Sequence, residues 1–238
     1  SKYSLINKKT PHIAMWGVFL FMREYLEFLK IFERAVLDAN RDIEEIELIA
    51  VSKKKPSELI REVINNGYQS FGENQIQEVE NKWIELKQEF SKTRLHFVGN
   101  IQSKKTEKIF QLCDVIHSID REKIVQKIKS CEEEYKLNKE YFIQINTGNE
   151  PQKSGVFINE SESFIDKCIT EYNLKVTGLM CIPPQNVDPE EHFLKLKDLG
   201  NNFNLPYLSM GMSDDFETAL KCGATHIRVG TKIFGARS

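Results

Sequence analysis

Eight short apolar runs, each set off from the next by a longer amphipathic stretch, divide the chain from residue 46 to residue 229. Regular alternation of this kind builds βαβ units and a parallel sheet. The runs are residues 46–52, 68–71, 95–98, 115–119, 141–146, 176–182, 207–210 and 226–229. Helical spacing fills the intervals, as at 56–65, 74–90, 121–135 and 213–221, with a proline near the first turn of the first and Gly223 after the last. Eight strands, the first seven each followed by a helix, predict a single (β/α)8 TIM-type barrel. An open doubly wound sheet satisfies the same periodicity, although such sheets usually stop at fewer strands. A leading N-terminal helix precedes the first strand, because Met22, Tyr25, Leu26, Leu29, Phe32 and Val36 recur at helical spacing and Asn40 is a stop signal.

No Gly-, Pro- or Ser-rich linker splits the chain, and 238 residues suit one barrel domain. The first 21 residues read differently. Lys2, Lys8 and Lys9 precede an apolar run over 13–22, and no acid occurs before Glu24. That run is too short to span a bilayer, Gly17 interrupts it, and no small-residue cleavage site follows. Residues 1–21 are therefore taken as an extension and 22–238 as the barrel. With 33 Lys plus Arg against 35 Asp plus Glu and no dense basic block, neither nucleic acid nor membrane is an expected partner. Five widely spaced cysteines without a C-x-x-C pair read as reduced, mostly buried thiols of a cytoplasmic protein.

In a β/α barrel the ligand-facing side chains sit at the C-terminal ends of the strands. The first strand runs into Lys53-Lys54-Lys55-Pro56. Such a run is ordinarily a solvated loop. Lys53, nearest the strand, is nevertheless carried to the mouth, where partial burial and neighbouring cations would favour a neutral amine able to condense with an aldehyde. After strand seven comes Ser209-Met210-Gly211-Met212-Ser213-Asp214-Asp215, in which glycine permits a tight turn and Ser213 opens a helix. After strand eight comes Arg228-Val229-Gly230-Thr231. Loops at these two places form the recurrent phosphate cup of barrels. Taken alone, Ser213 is an ordinary helix cap and Gly230 an ordinary strand end. Arg228 lies on an apolar strand and either pairs with an inward carboxylate or faces a ligand. An amine at strand one and a phosphate cup at strands seven and eight suit a phosphorylated aldehyde such as pyridoxal 5'-phosphate, whose pyridine nitrogen an arginine can face.

At these residues the chain resembles the pyridoxal phosphate homeostasis proteins, single-domain relatives of the alanine racemase barrel. The resemblance is carried in order by Ala50-Val51-Ser52-Lys53, Phe71-Gly72-Glu73-Asn74, His96-Phe97-Val98-Gly99 with Gln102-Ser103, Gly178-Leu179-Met180, Leu208 through Asp215, Arg228 through Thr231, and Ile233 through Arg237. It implies that Lys53 forms a covalent Schiff base with the cofactor. It further implies that Ser213, Gly230 and Thr231 hold the phosphate, Arg228 faces the pyridine nitrogen and Asn74 lines the ring. An arginine there leaves the nitrogen unprotonated and the ring a weak electron sink. Gln75, Asn100 and Lys104 depart from the family pattern, and residues 1–21 match nothing in it.

His12, His96, His117, His192 and His226 lack metal-site spacing, and His96 reads as a structural hydrogen-bonding residue. Lys153, after strand five, either lines the mouth or pairs with Glu150. The resemblance favours a carrier or regulator of the cofactor in vitamin B6 homeostasis, without committed catalysis, acting as a monomer or weak dimer and supplying apo-enzymes. The alternative is a racemase or decarboxylase type of enzyme. Relatives of that type add a β-rich second domain with an opposing base, for which the residues after Gly230 leave no room. A Schiff-base aldolase would need an acid/base pair near Lys53, and the sequence offers none.

Overall fold

A strand whose outward residues are apolar must be covered by the apolar stripe of a helix, and the chain repeats this unit around a closed ring. The computed structural model describes residues 15–234, with side chains from Arg23 onward; Lys2, Lys8, Lys9, His12 and the terminal Gly235-Ala236-Arg237 lie outside that description. In chain order come α1 (Met15–Asp38), a 3-10 turn (Ile43–Glu45), β1 (Glu47–Val51), α2 (Ser57–Asn65), β2 (Ser70–Glu73), α3 (Ile76–Glu78), a π-helical segment (Val79–Trp83) and α4 (Ile84–Glu89). Next are β3 (Arg94–Phe97), a 3-10 turn (Ser103–Lys105), α5 (Thr106–Leu112), β4 (Val115–Ile119), α6 (Glu122–Tyr135), β5 (Glu140–Asn146), β6 (Val156–Phe157) and α7 (Ile158–Thr170). The chain continues through β7 (Val176–Cys181), α8 (Glu190–Asn202), β8 (Tyr207–Ser209), α9 (Phe216–Lys221), β9 (His226–Val229) and α10 (Thr231–Phe234).

All pairings are parallel. The ring runs β1-β2-β3-β4-β5-β7-β8-β9, and β9 returns to β1 with Glu47 opposite His226, Leu48 opposite Ile227, Ile49 opposite Arg228 and Ala50 opposite Val229. The sheet is the predicted eight-stranded barrel, and the open-sheet alternative falls. Strand β6 is an addition the periodicity did not signal, a two-residue piece paired to Ile145 and Asn146 of β5.

Expected and observed boundaries agree for β4 and β9 and differ elsewhere for identifiable reasons. Tyr68 is not in β2, because its N–H closes the turn after α2 on the Val63 carbonyl at 3.3 Å. Helix α1 begins at Met15 rather than Met22, so the division at 21/22 falls inside a helix. The stretch 74–90 is broken by the π segment. Ser213 does not open a helix, because Asp215 Oδ1 takes the Met212 N–H at 2.6 Å and holds 212–215 as a turn, leaving α9 to start at Phe216.

Outward residues such as Leu48, Ala50, Phe71, Leu95, Phe97, Leu179 and Ile227 join one apolar cluster with the surrounding helices. The barrel interior is different. Val115, Phe142 and Met180 form a small separate cluster there, and the buried His96, His117, Ser209, His226 and Arg228 share the space. Helix α1 packs outside the ring through Phe28 and Phe32, whose rings lie 5.8 and 5.9 Å from that of Phe216. Because Phe32 is fully buried, Phe32→Ala should lower stability by about 3–5 kcal/mol. Urea unfolding measures it, and an unchanged midpoint would mean that α1 does not unfold with the barrel.

Candidate functional site

At the C-terminal ends of the strands lies a cavity of about 690 Å3, and Lys53, Asn74, Ser213, Arg228, Gly230 and Thr231 all line it. Every residue singled out as a site residue from sequence thus meets the others in one place.

Lys53 leaves β1 in a tight turn. The Lys55 N–H returns to the Ser52 carbonyl at 3.1 Å, and Lys54 takes φ 60°, a left-handed conformation unusual for lysine. The turn is tied from beneath by side chains that the sequence reading passed over. Lys82, on the π segment, donates to the Ser52 carbonyl at 2.9 Å and to Glu78 Oε2 at 2.7 Å, and pairs with Glu73 Oε1 at 2.6 Å. That Glu73 oxygen also accepts from Ser52 Oγ at 2.6 Å and Trp83 Nε1 at 3.1 Å. Glu78 Oε2 accepts the Lys54 N–H at 2.6 Å. Burial pushes the Glu73 carboxyl above its ordinary value, against the pull of Lys82 and these hydrogen bonds. Contrary to expectation, Lys53 itself is exposed rather than partly buried.

Arg228 is buried, and NH1 donates to Ser209 Oγ at 2.6 Å while NH2 donates to the Cys181 carbonyl at 2.9 Å. Among the described residues no carboxylate forms a salt bridge with it. Burial draws its guanidinium below the ordinary value, with Cys181 and Asp215 opposing. A buried cation held by two uncharged acceptors is costly, and Arg228 is one of the residues that line the cavity. Asn74 Oδ1 is likewise buried with no hydrogen-bond partner in the protein. Both are what a bound polar ring would satisfy.

The cup closes on the other side. Gly211, at φ +96°, turns the chain after β8. Thr231 Oγ1 donates to Ser213 Oγ at 3.1 Å, bringing two hydroxyls together where α10 begins. A Cβ on Gly99 would overlap the Asn74 backbone carbonyl, so the loops after β2 and β3 touch only because Gly99 lacks one. Lys153 does both things open to it, lining the cavity and pairing with Glu150 at 2.6 Å. Asn100 lines the cavity, whereas Lys104 faces a separate cleft with Lys123 and Lys127. His96 is hydrogen-bonded to Glu47 and His117, as befits a structural role. Among the described residues no His, Cys, Asp or Glu group could hold a metal, and all five cysteines are free and buried.

The family model described as alanine racemase, N-terminal domain, matches residues 36–238. The pyridoxal phosphate homeostasis protein of Aquifex aeolicus is 37% identical over 199 residues, covering 80% of this chain and 86% of that protein. Its Escherichia coli counterpart is 36% identical over 213 residues, covering 85% and 91%. The chain belongs to the family of pyridoxal phosphate homeostasis proteins. Among solved structures, Synechococcus elongatus PipY with PLP bound superposes at TM-score 0.75 and 29% identity, over 85% of this chain and 99% of PipY. Alanine racemase of Clostridium difficile shares the fold at TM-score 0.68 and 13% identity, over 89% of this chain and 57% of the enzyme.

The interior histidines make stability depend on pH. Burial, with His96, His226 and Arg228 nearby, pushes His117 well below its ordinary value, and burial lowers His96 despite the opposing pull of Glu47. Below about pH 6.5 the unfolded histidines take up protons that the native ones refuse, so the unfolded state binds more protons and stability falls as pH drops. Glu73, with its raised value, acts in the opposite sense. Urea midpoints should therefore decline from about pH 7 towards pH 5, more steeply in Glu73→Gln than in the wild type. Midpoints flat across that window in both proteins would mean that the native histidines are already protonated.

Proposed function

We propose that this chain binds pyridoxal 5'-phosphate covalently through Lys53 and serves vitamin B6 homeostasis as a carrier or regulator, supplying apo-enzymes rather than running a committed reaction. One observation carries the reading. The amine of Lys53, the paired hydroxyls of Ser213 and Thr231, and the buried Arg228, which has no salt-bridge partner among the described residues, line a single cavity. When bound, the cofactor supplies an aldehyde and an electron-withdrawing ring. Lys53 offers the amine, Ser213, Gly230 and Thr231 bind the phosphate, Arg228 donates to the pyridine nitrogen, and Asn74 flanks the ring. A guanidinium can donate to that nitrogen but cannot give it the full proton an aspartic acid would, so carbanion chemistry gains little. The relatives' names and the PLP-bound PipY support the same reading.

The proposal takes residues 22–238 as the cofactor-binding unit, with 1–21 outside it, and a monomer or weak dimer in the cytoplasm. Among the described residues no helix is long and apolar enough to cross a membrane.

The deciding experiment loads the protein with pyridoxal phosphate, reduces it with borohydride and maps the labelled peptide by mass. The label should lie on Lys53; a label on Lys54, Lys55 or Lys153 would remove Lys53 from the role. The same preparation is incubated with L- and D-amino acids while α-proton exchange is followed. Turnover at about 1–10³ s⁻¹, typical of enzymes, would replace the carrier with a racemase-type enzyme.

The cup is tested separately. A hydrogen bond to a charged group contributes roughly 1.5–3 kcal/mol, so Ser213→Ala or Thr231→Val should weaken cofactor binding about tenfold or more while leaving the melting temperature near that of the wild type. Unchanged affinity in an equilibrium titration would place the phosphate elsewhere.

A further inference from the structure

Arg228 is joined to Glu47, the first residue of β1, by an unbroken line of hydrogen bonds through the barrel interior. Arg228 NH1 lies 2.6 Å from Ser209 Oγ, which lies 2.9 Å from His117 Nδ1. His117 Nε2 lies 2.9 Å from His96 Nδ1, and His96 Nε2 lies 3.0 Å from Glu47 Oε1. The four links come from β9, β8, β4, β3 and β1, so no single element could supply them.

The chemistry of the two ends sets the direction of every proton between them. Glu47 also takes Ser70 Oγ at 2.7 Å, Arg94 at 3.0 Å and His226 Nε2 at 3.3 Å. Burial alone would raise its carboxyl, but these histidines outweigh that and hold it well below the usual range, so it is a carboxylate that only accepts. His96 must then carry its proton on Nε2, leaving Nδ1 bare. His117 must donate from Nε2 to that bare nitrogen, leaving its own Nδ1 bare. The Ser209 hydroxyl must donate to His117, leaving its lone pairs for Arg228, which only donates. Ser70 Oγ also lies 3.1 Å from His96 Nε2, but its proton goes to the nearer Glu47 Oε1, so each link admits one arrangement once its neighbour is set. The His117 ring has little freedom to escape it, being stacked on Phe142 with centroids 4.3 Å apart and planes 4° from parallel.

We infer that Ser209, His117, His96 and Glu47 form a one-way hydrogen-bond relay whose carboxylate end positions Arg228 for the ligand cavity. Asp215 acts on this buried guanidinium only through space, and the relay adds a second carboxylate at the far end of four polarised hydrogen bonds. The relay keeps the Ser209 oxygen turned towards Arg228 and so fixes which guanidinium edge remains for the cavity. His96, His117 and Glu47 do not line the cavity and act as positioning residues. The relay itself is a property of the protein alone; only its consequence for ligand affinity rests on the cofactor reading above.

Two measurements test it. The first is side-chain 15N NMR of the full chain at neutral pH without cofactor. His96 and His117 should both be neutral with the proton on Nε2; a proton on Nδ1 of either ring, or an imidazolium, would overturn the relay. The second is a double-mutant cycle on pyridoxal phosphate affinity with Glu47→Ala and Ser209→Ala. Ser209→Ala should weaken binding about tenfold, and Glu47→Ala should weaken it several-fold although residue 47 is outside the cavity. In the Ser209→Ala background the Glu47→Ala effect should vanish, because the link is already cut. Additive effects would mean that Glu47 acts by another route and would sink the inference. If the wild type binds no pyridoxal phosphate, the cofactor reading fails, and the histidine tautomers alone decide the relay.

Discussion

The seam between β1 and β9 is the constraint on which the rest depends. Four residues of each strand face one another there, and the pairing closes a sheet that would otherwise end in two open edges. Closure also brings together positions at opposite ends of the chain. Lys53 follows β1 and Thr231 follows β9, so they share a cavity only because the first and last strands are neighbours. The same seam sets Glu47 opposite His226 and so places the carboxylate in reach of the interior histidines.

Barrel interiors are commonly filled by bulky branched residues. Here much of that space holds histidine, serine, arginine and a carboxylate, and the apolar share includes a cluster of only Val115, Phe142 and Met180. Such a core is tolerated only when each polar atom meets a partner, because an unpaired one in low dielectric costs more than its hydrogen bond would return. The outer layer between strands and helices supplies the apolar burial instead. Stability and function are thus separated by the pleat: one face of each strand builds the core, and the other serves the mouth.

Much of this was legible beforehand, because period-two patterning in short strands and helical stripes between them are local properties. Strands β4 and β9 were bounded correctly since turn residues flank both. That Lys53, Ser213, Arg228, Gly230 and Thr231 would meet at one mouth was legible because they sit at strand ends, whereas Asn74 was named only through the resemblance. What escaped depends on distances the sequence does not carry. Lys82 reaches Ser52 and Glu73 from another element, the exposure of Lys53 depends on its turn, and the late start of α9 at Phe216 depends on a single Asp215 hydrogen bond. The histidines looked unrelated in sequence because their contact is made between the paired strands β3 and β4, with His96 and His117 21 positions apart.

Val79–Trp83 winds more loosely than its flanks, and its last two residues, Lys82 and Trp83, both reach the same oxygen of Glu73. Adjacent side chains on a regular α-helix diverge by about 100° and seldom converge on one atom. A wider turn of this kind amounts to one residue more than the α-helical spacing would hold. Shortening the segment by a single codon would therefore regularise the helix yet swing either the ammonium or the indole away from the carboxylate. The irregularity is thus a fixed part of the chain's length, and insertions or deletions between β2 and β3 would be tolerated only on the far side of Trp83.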